Sequence, residues 1–136
     1  MTKHKKTSYL VLVMSVLALA ALPCGTGFTT THKISGNSGE VRVRMNEANG
    51  TDSTSMEINE EWSRVRISTT VTFSVESGSC LAYLTGEDGT AISLDTSAGS
   101  PTEVYGSLVT DGFGEVDLQT DCQNAQNLDL TVYFAR

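Results

Sequence analysis

The stretch DGFGEVDLQTD, residues 111–121, sets Asp111 in a turn and then places Glu115 and Asp117 two apart, on one face of an extended chain. Loop and strand oxygens converging there would suit a hard cation such as calcium. The spacing of an EF-hand is absent, and alternating acid on a wet strand face is ordinarily solvation. Arg42, Arg44, Arg64 and Arg66 are four of the five arginines and alternate along two further extended runs. If those runs are neighbours, the guanidinium forks form a basic stripe suited to the carboxylates or phosphates of an anionic polymer. The plainer outcome is cross-strand pairing with Glu40 and Glu57. Trp62, Tyr105 and Tyr133 offer a third chemistry, the stacking of sugar rings on amphipathic aromatic faces, although a tryptophan so placed more often plugs an end of the core.

Catalytic constellations are harder to assemble. A Ser–His–acid set needs a fixed histidine base, and beyond the N-terminal residues the chain offers only His32, inside a Gly-, Ser- and Thr-rich segment. A glycosidase needs two carboxylates facing each other across a cleft, so a small hydrolase using acidic residues is the remote alternative. No CxxC occurs, which removes the basic spacing of a redox dithiol or zinc ribbon. Glu60-Glu61 and Glu87-Asp88 read as turn and rim charges. The expectation is a non-enzymatic protein with a binding or structural role and no cofactor, calcium being the alternative.

The N-terminal residues carry an address. Lys3, His4, Lys5 and Lys6 precede an apolar run from Tyr9 to Leu22, the order of a secretory signal. The run is short of the roughly 20 apolar residues a spanning helix needs, so residues 1–23 read as a removed leader. Its end, Ala21-Leu22-Pro23-Cys24-Gly25, resembles the lipobox of bacterial lipoproteins, with Ala21 and Pro23 where that family usually has Leu and a small residue. The resemblance covers the signal region alone. It implies a diacylglyceryl group on the Cys24 thiol, cleavage just before it, and a lipid-anchored place at the cell envelope with the membrane as partner. Ala18-Leu19-Ala20 offers the alternative, an A-x-A site that releases a soluble secreted module binding carbohydrate or calcium. Cys80 and Cys122 are expected to pair in an oxidising compartment. That leaves Cys24 as the odd cysteine, which lipidation would explain.

Loss of the leader removes three of the nine basic residues and none of the sixteen acidic ones, so the remaining chain carries a net charge of −10. That balance argues against nucleic acid and against a bare anionic membrane surface as partners. An envelope glycan or a protein partner stays open. The length suits one domain.

The elements that must position these residues are strands. Residues 24–39 are rich in Gly, Ser and Thr without periodicity and read as a flexible tether. From residue 40 to 136 apolar residues recur every second position, most clearly in RVRISTTVTFSV, residues 64–75. The same alternation marks 41–45, 56–58, 116–118 and 128–134, and shorter apolar runs cover 80–84, 91–94 and 104–109. Turn signals separate them, among them Ala48-Asn49-Gly50-Thr51 and Asp111-Gly112-Phe113-Gly114. Strands with one wet and one dry face form antiparallel sheets whose dry faces must be covered. The expected fold is therefore all-β, an antiparallel β-sandwich of immunoglobulin-like or jelly-roll type with about eight strands.

Overall fold

A computed structural model describes residues 27–136. The leader and Cys24 lie outside the described residues. Seven antiparallel strands follow in order: β1 (Thr29–Ser35), β2 (Ser38–Glu57), β3 (Arg66–Ser74), β4 (Ser77–Thr85), β5 (Ala91–Ser97), β6 (Thr102–Val109) and β7 (Glu115–Ala135). The all-β sandwich expected from the alternation is what forms. Its two layers belong to one sheet folded over on itself, because β2 and β7 are long and pair along nearly their whole length.

In what we term layer A, the order is β1, β2, β7, β3, β6, using the first half of β2 and the second half of β7. In layer B, the second half of β2 and the first half of β7 continue into β4 and β5. The bend between them has a local cause. Across it, β7 holds one residue more than either neighbour, shown by register shifts against Ala48/Gly50 of β2 and Ser77/Ser79 of β4. Asn124 takes up the excess in the left-handed region, at φ 49°, and its N–H donates to Asn49 Oδ1 at 3.2 Å. Asparagine tolerates that conformation better than most residues.

Alternation then sends one side chain in two to the interior. From layer A come Val41, Val43, Ile67, Val71, Phe73, Leu108, Leu130 and Val132; from layer B come Ala82, Leu84, Leu94, Val116 and Leu118, all in one buried cluster. Each of these valine, leucine, isoleucine and phenylalanine side chains contributes about 1.5–3 kcal/mol when fully buried. At the open side β6 lies against β5: a Cβ on Gly106 would come within 2.8 Å of Ile92 Cδ1, so any larger residue there must displace the Ile92 side chain. Cys80 and Cys122 stand directly opposite each other on β4 and β7 and are disulfide-bonded, closing a separation of 42 residues. Among the described residues no buried side-chain nitrogen or oxygen lacks a hydrogen-bond partner.

Two expectations change. The segment read as a tether contains β1, which pairs with β2 from Thr29↔Arg44 to Ser35↔Ser38 through a turn at Gly36-Asn37. Every β1 residue is exposed, so the strand is held by its ladder rather than by an apolar face, and no alternation betrays it. The runs 41–45 and 56–58 belong to the two halves of β2, Ile58 lying just past its end, and 116–118 and 128–134 to the two halves of β7. Ala48-Asn49-Gly50-Thr51 is therefore an irregularity within a strand rather than a hairpin turn.

Candidate functional site

Strand order decides which outward side chains meet. On layer A, Thr70 of β3 is in register with Tyr105 of β6 on one side and with Tyr133 of β7 on the other. The three therefore form one row across the sheet. Tyr105 is 73% exposed and Tyr133 47%. With neighbouring strands about 4.8 Å apart, the two tyrosine positions are separated by about 9.6 Å. The Tyr105 hydroxyl donates to Glu103 Oε1 at 2.5 Å, which lays the ring along β6. That hydrogen bond, reinforced by the carboxylate charge, raises the Tyr105 phenol above its ordinary range. It remains a neutral donor near neutral pH.

Beside Tyr133 an open depression of about 310 Å³ is lined by Glu40, Arg42, Thr72, Thr131 and Asp129. Glu40 is the register partner of Tyr133 on β2 and lies 3.6 Å from Lys33 Nζ. Arg42 grips Asp129 with both arms of its fork: Nε donates to Oδ1 at 2.9 Å and Nη2 to Oδ2. The guanidinium holds the Asp129 carboxyl below the usual carboxylate range, and the carboxylate in turn raises Arg42. The result is two aromatic surfaces flanked by hydroxyls and carboxylates, an arrangement that can stack a flat apolar ring face and hydrogen-bond its polar edge.

The arginines do not make the expected stripe. β7 lies between β2 and β3, so Arg42 and Arg44 are separated from Arg66 by a strand. Arg66 Nη2 reaches Asp88 Oδ2 at 3.3 Å. Arg64 lies before β3 in a loop at φ 53°, with Nε 3.2 Å from Glu87 Oε1. Cross-strand and loop carboxylates thus partner three of the four, while Arg44 faces the Asp129 region.

Trp62 is corrected as a ligand contact. It is 4% exposed, meets Phe134 edge-to-face at 5.8 Å, and carries the Arg136 guanidinium 5.9 Å over its ring. Its loop is pinned by buried Thr110, whose hydroxyl donates to the Trp62 carbonyl and accepts from Val65 N–H at 2.9 Å. The calcium site does not assemble either. Asp111 Oδ1 already accepts from the backbone N–H groups of Phe113 and Glu115, at 2.8 and 3.0 Å, to shape its own turn. Asp117 faces out of layer B between Ser55 and Thr85. Among the described residues no three His, Cys, Asp or Glu side chains group as a metal would require. His32 belongs to β1, its Nε2 donating to the Ile58 carbonyl at 2.6 Å.

Thr70, Glu103, Thr72 and Thr131 complete the site and were not singled out in the sequence. Their alternation phase was readable, but strand order alone brings them beside the tyrosines.

Neither a protein-family model nor a curated protein matches the chain. Among solved structures, it is similar to CapF bound to the inhibitor 3-isopropenyl-tropolone, at 11% identity and a TM-score of 0.44, over 85% of this chain and 29% of that one. It therefore spans less than a third of that protein. A carbohydrate binding module, CBM6cm-2, from Cellvibrio mixtus lichenase 5A in complex with cellotriose matches at 14% identity and a TM-score of 0.36, over 82% of this chain and 88% of that one. Oxalate oxidase in complex with glycolate matches at 17% identity and a TM-score of 0.44, over 85% and 53% of the two chains. Likenesses this distant carry neither ligand nor activity over to this chain.

Proposed function

We propose that this protein is an exported β-sandwich module that binds glycan on the outer face of layer A and is held at the cell envelope by lipid on Cys24. The binding reading rests on one observation: Tyr133 and Tyr105 stand exposed in register on either side of Thr70. Tyrosine couples an apolar ring to a polar tip, and such rings stack the apolar faces of sugars while the rim serves their hydroxyls. The role is binding rather than catalysis.

A panel of immobilised neutral and acidic glycans, probed with wild type and with the Tyr105→Ala/Tyr133→Ala variant, tests it. Loss of both rings is expected to weaken binding at least about tenfold, the equivalent of about 1.4 kcal/mol. Tyr83→Ala, which alters a 40% exposed tyrosine on layer B, should leave binding as it is. A double variant that binds like wild type overturns the reading.

The anchor is supported by cysteine parity, since the Cys80–Cys122 bond leaves Cys24 without an intramolecular partner. Cys24→Ala is expected to move the protein from the membrane to the soluble fraction in its host cell. Unchanged membrane partitioning of that variant would rule out lipid at this thiol.

A further inference from the structure

Resting on the glycan reading of the same face, we infer that the ligand is an uncharged, extended glycan laid across the strands of layer A, and that three consecutive sugars form its minimal recognised unit. The first part follows from spacing. Tyr133, Thr70 and Tyr105 lie in one row perpendicular to the strands, so a chain that uses both rings must cross β7, β3 and β6 rather than follow any one of them. The rings are about 9.6 Å apart, two strand spacings, close to the rise from one sugar to its next-but-one neighbour in an extended chain. A sugar on each tyrosine therefore leaves one between them, over the Thr70 hydroxyl.

The second part follows from charge. Each stacking position has a carboxylate at its side: Glu40 beside Tyr133 in the ladder, and Glu103 hydrogen-bonded to the Tyr105 hydroxyl. The adjoining cations are engaged, Arg42 by both oxygens of Asp129 and Lys33 by Glu40 at 3.6 Å. A uronic acid or sulfated sugar on Tyr105 would thus meet the Glu103 carboxylate, which has no ion-pair partner among the described residues. Arg44, also unpaired among them, lies two residues beyond Arg42 on β2, away from both rings. Like-charge juxtaposition is a strong means of rejecting a wrong partner. Sugar hydroxyls face no such obstacle. They can donate to Glu40 and Glu103, and charge-assisted hydrogen bonds of that kind are stronger than neutral ones. Of the arginines read from the sequence as an anion-binding stripe, Arg42 serves instead to neutralise Asp129 on this face.

Calorimetric titration with β-1,4-linked glucose, mannose and N-acetylglucosamine oligomers of two, three and six units, and with hexagalacturonate, tests both parts. For the neutral series that binds, the trisaccharide is expected to be at least about tenfold tighter than the disaccharide, one further stacked ring being of that order. Hexagalacturonate should bind at least about tenfold more weakly than the neutral hexamer, and Glu40→Gln/Glu103→Gln should narrow that gap from both sides, weakening the neutral hexamer and relieving the repulsion of hexagalacturonate. Hexagalacturonate binding as tightly as a neutral hexamer, or a disaccharide matching the trisaccharide, overturns this inference while leaving the platform intact if Tyr105→Ala/Tyr133→Ala still abolishes binding. Titration with the neutral hexamers unchanged by the double tyrosine substitution, or no binding of any oligomer, neutral or acidic, overturns the glycan reading itself.

Discussion

The outer face of layer A carries Lys33, Arg42, Arg44 and Arg66 among Glu40, Glu103 and Asp129, whereas the strands of layer B bear no basic residue and turn Asp95, Asp117 and Asp121 outward. Both faces draw on the same two long strands, so the difference lies in the side chains rather than in the framework. On layer B an uncompensated acidic surface is kept wet, and its exposed Tyr83 sits between Gln119 and Ser93 with no second ring in its row. On layer A Lys33 pairs with Glu40 and Arg42 with Asp129 beside Tyr133, and what stands clear of these pairs is a pair of aromatic rings. Where charges are paired in this way, an uncharged ligand can approach Tyr133 without stripping water from a lone ion.

The layers also differ in how they are held. Layer B contains the covalent link, Cys80 of β4 to Cys122 of β7, while layer A relies on the ladders of β1, β2, β7, β3 and β6 and the shared core. The largest expected effect follows from this. Cys80→Ala/Cys122→Ala releases a loop of 42 residues in the unfolded chain, which by the loop-entropy relation costs about 4 kcal/mol of stability. A urea melt should show that loss as a lower midpoint. Neutral-glycan affinity of the fraction still folded should be that of wild type, because no ligand-facing residue lies on β4 or β5. If affinity falls with the midpoint under conditions where the variant is fully folded, the layers are coupled and the division of labour between them fails.

Much of this architecture could be read from the chain, and the parts that could not share a cause. The alternation of Ile67, Val71 and Phe73 announced β3, and that of Leu128, Leu130, Val132 and Phe134 announced the second half of β7. What alternation cannot report is continuity through a bend: Asn49-Gly50 and Gln123-Asn124 have turn chemistry, yet they act here as irregularities inside strands that keep pairing on both sides. Nor can it find β1, where His32 and Ile34 stay exposed on an edge. Phase along a strand placed Tyr105 and Tyr133 outward. That they share a row with Thr70 between them depends on β3 lying between β7 and β6, a long-range pairing no local pattern encodes. Trp62 shows the converse, a residue in a loop that a single buried hydroxyl, that of Thr110, folds over the end of the core.

The smallest effect concerns the charge pairing that distinguishes layer A. Asp129 has its carboxyl lowered chiefly by the hydrogen bond from Arg42, against an opposing desolvation. A carboxyl lowered in the folded state binds protons less readily there than in the unfolded chain, so its contribution to stability is fully present above the unfolded value of about 3.9. It is lost as pH falls through the lower folded value. Asp129→Asn should therefore be less stable than wild type at neutral pH, and the gap between their urea midpoints should close as the pH is brought down below that of ordinary carboxylates. Because both partners are partly open to water, with side chains 41% and 26% exposed, the gap should also shrink as salt is added. The same substitution frees the Arg42 fork beside Tyr133, so it should raise the affinity for hexagalacturonate relative to the neutral hexamer. A variant that loses stability without that shift in selectivity would leave Arg42–Asp129 as a structural pair only, and would remove charge cancellation as the reason layer A differs from layer B.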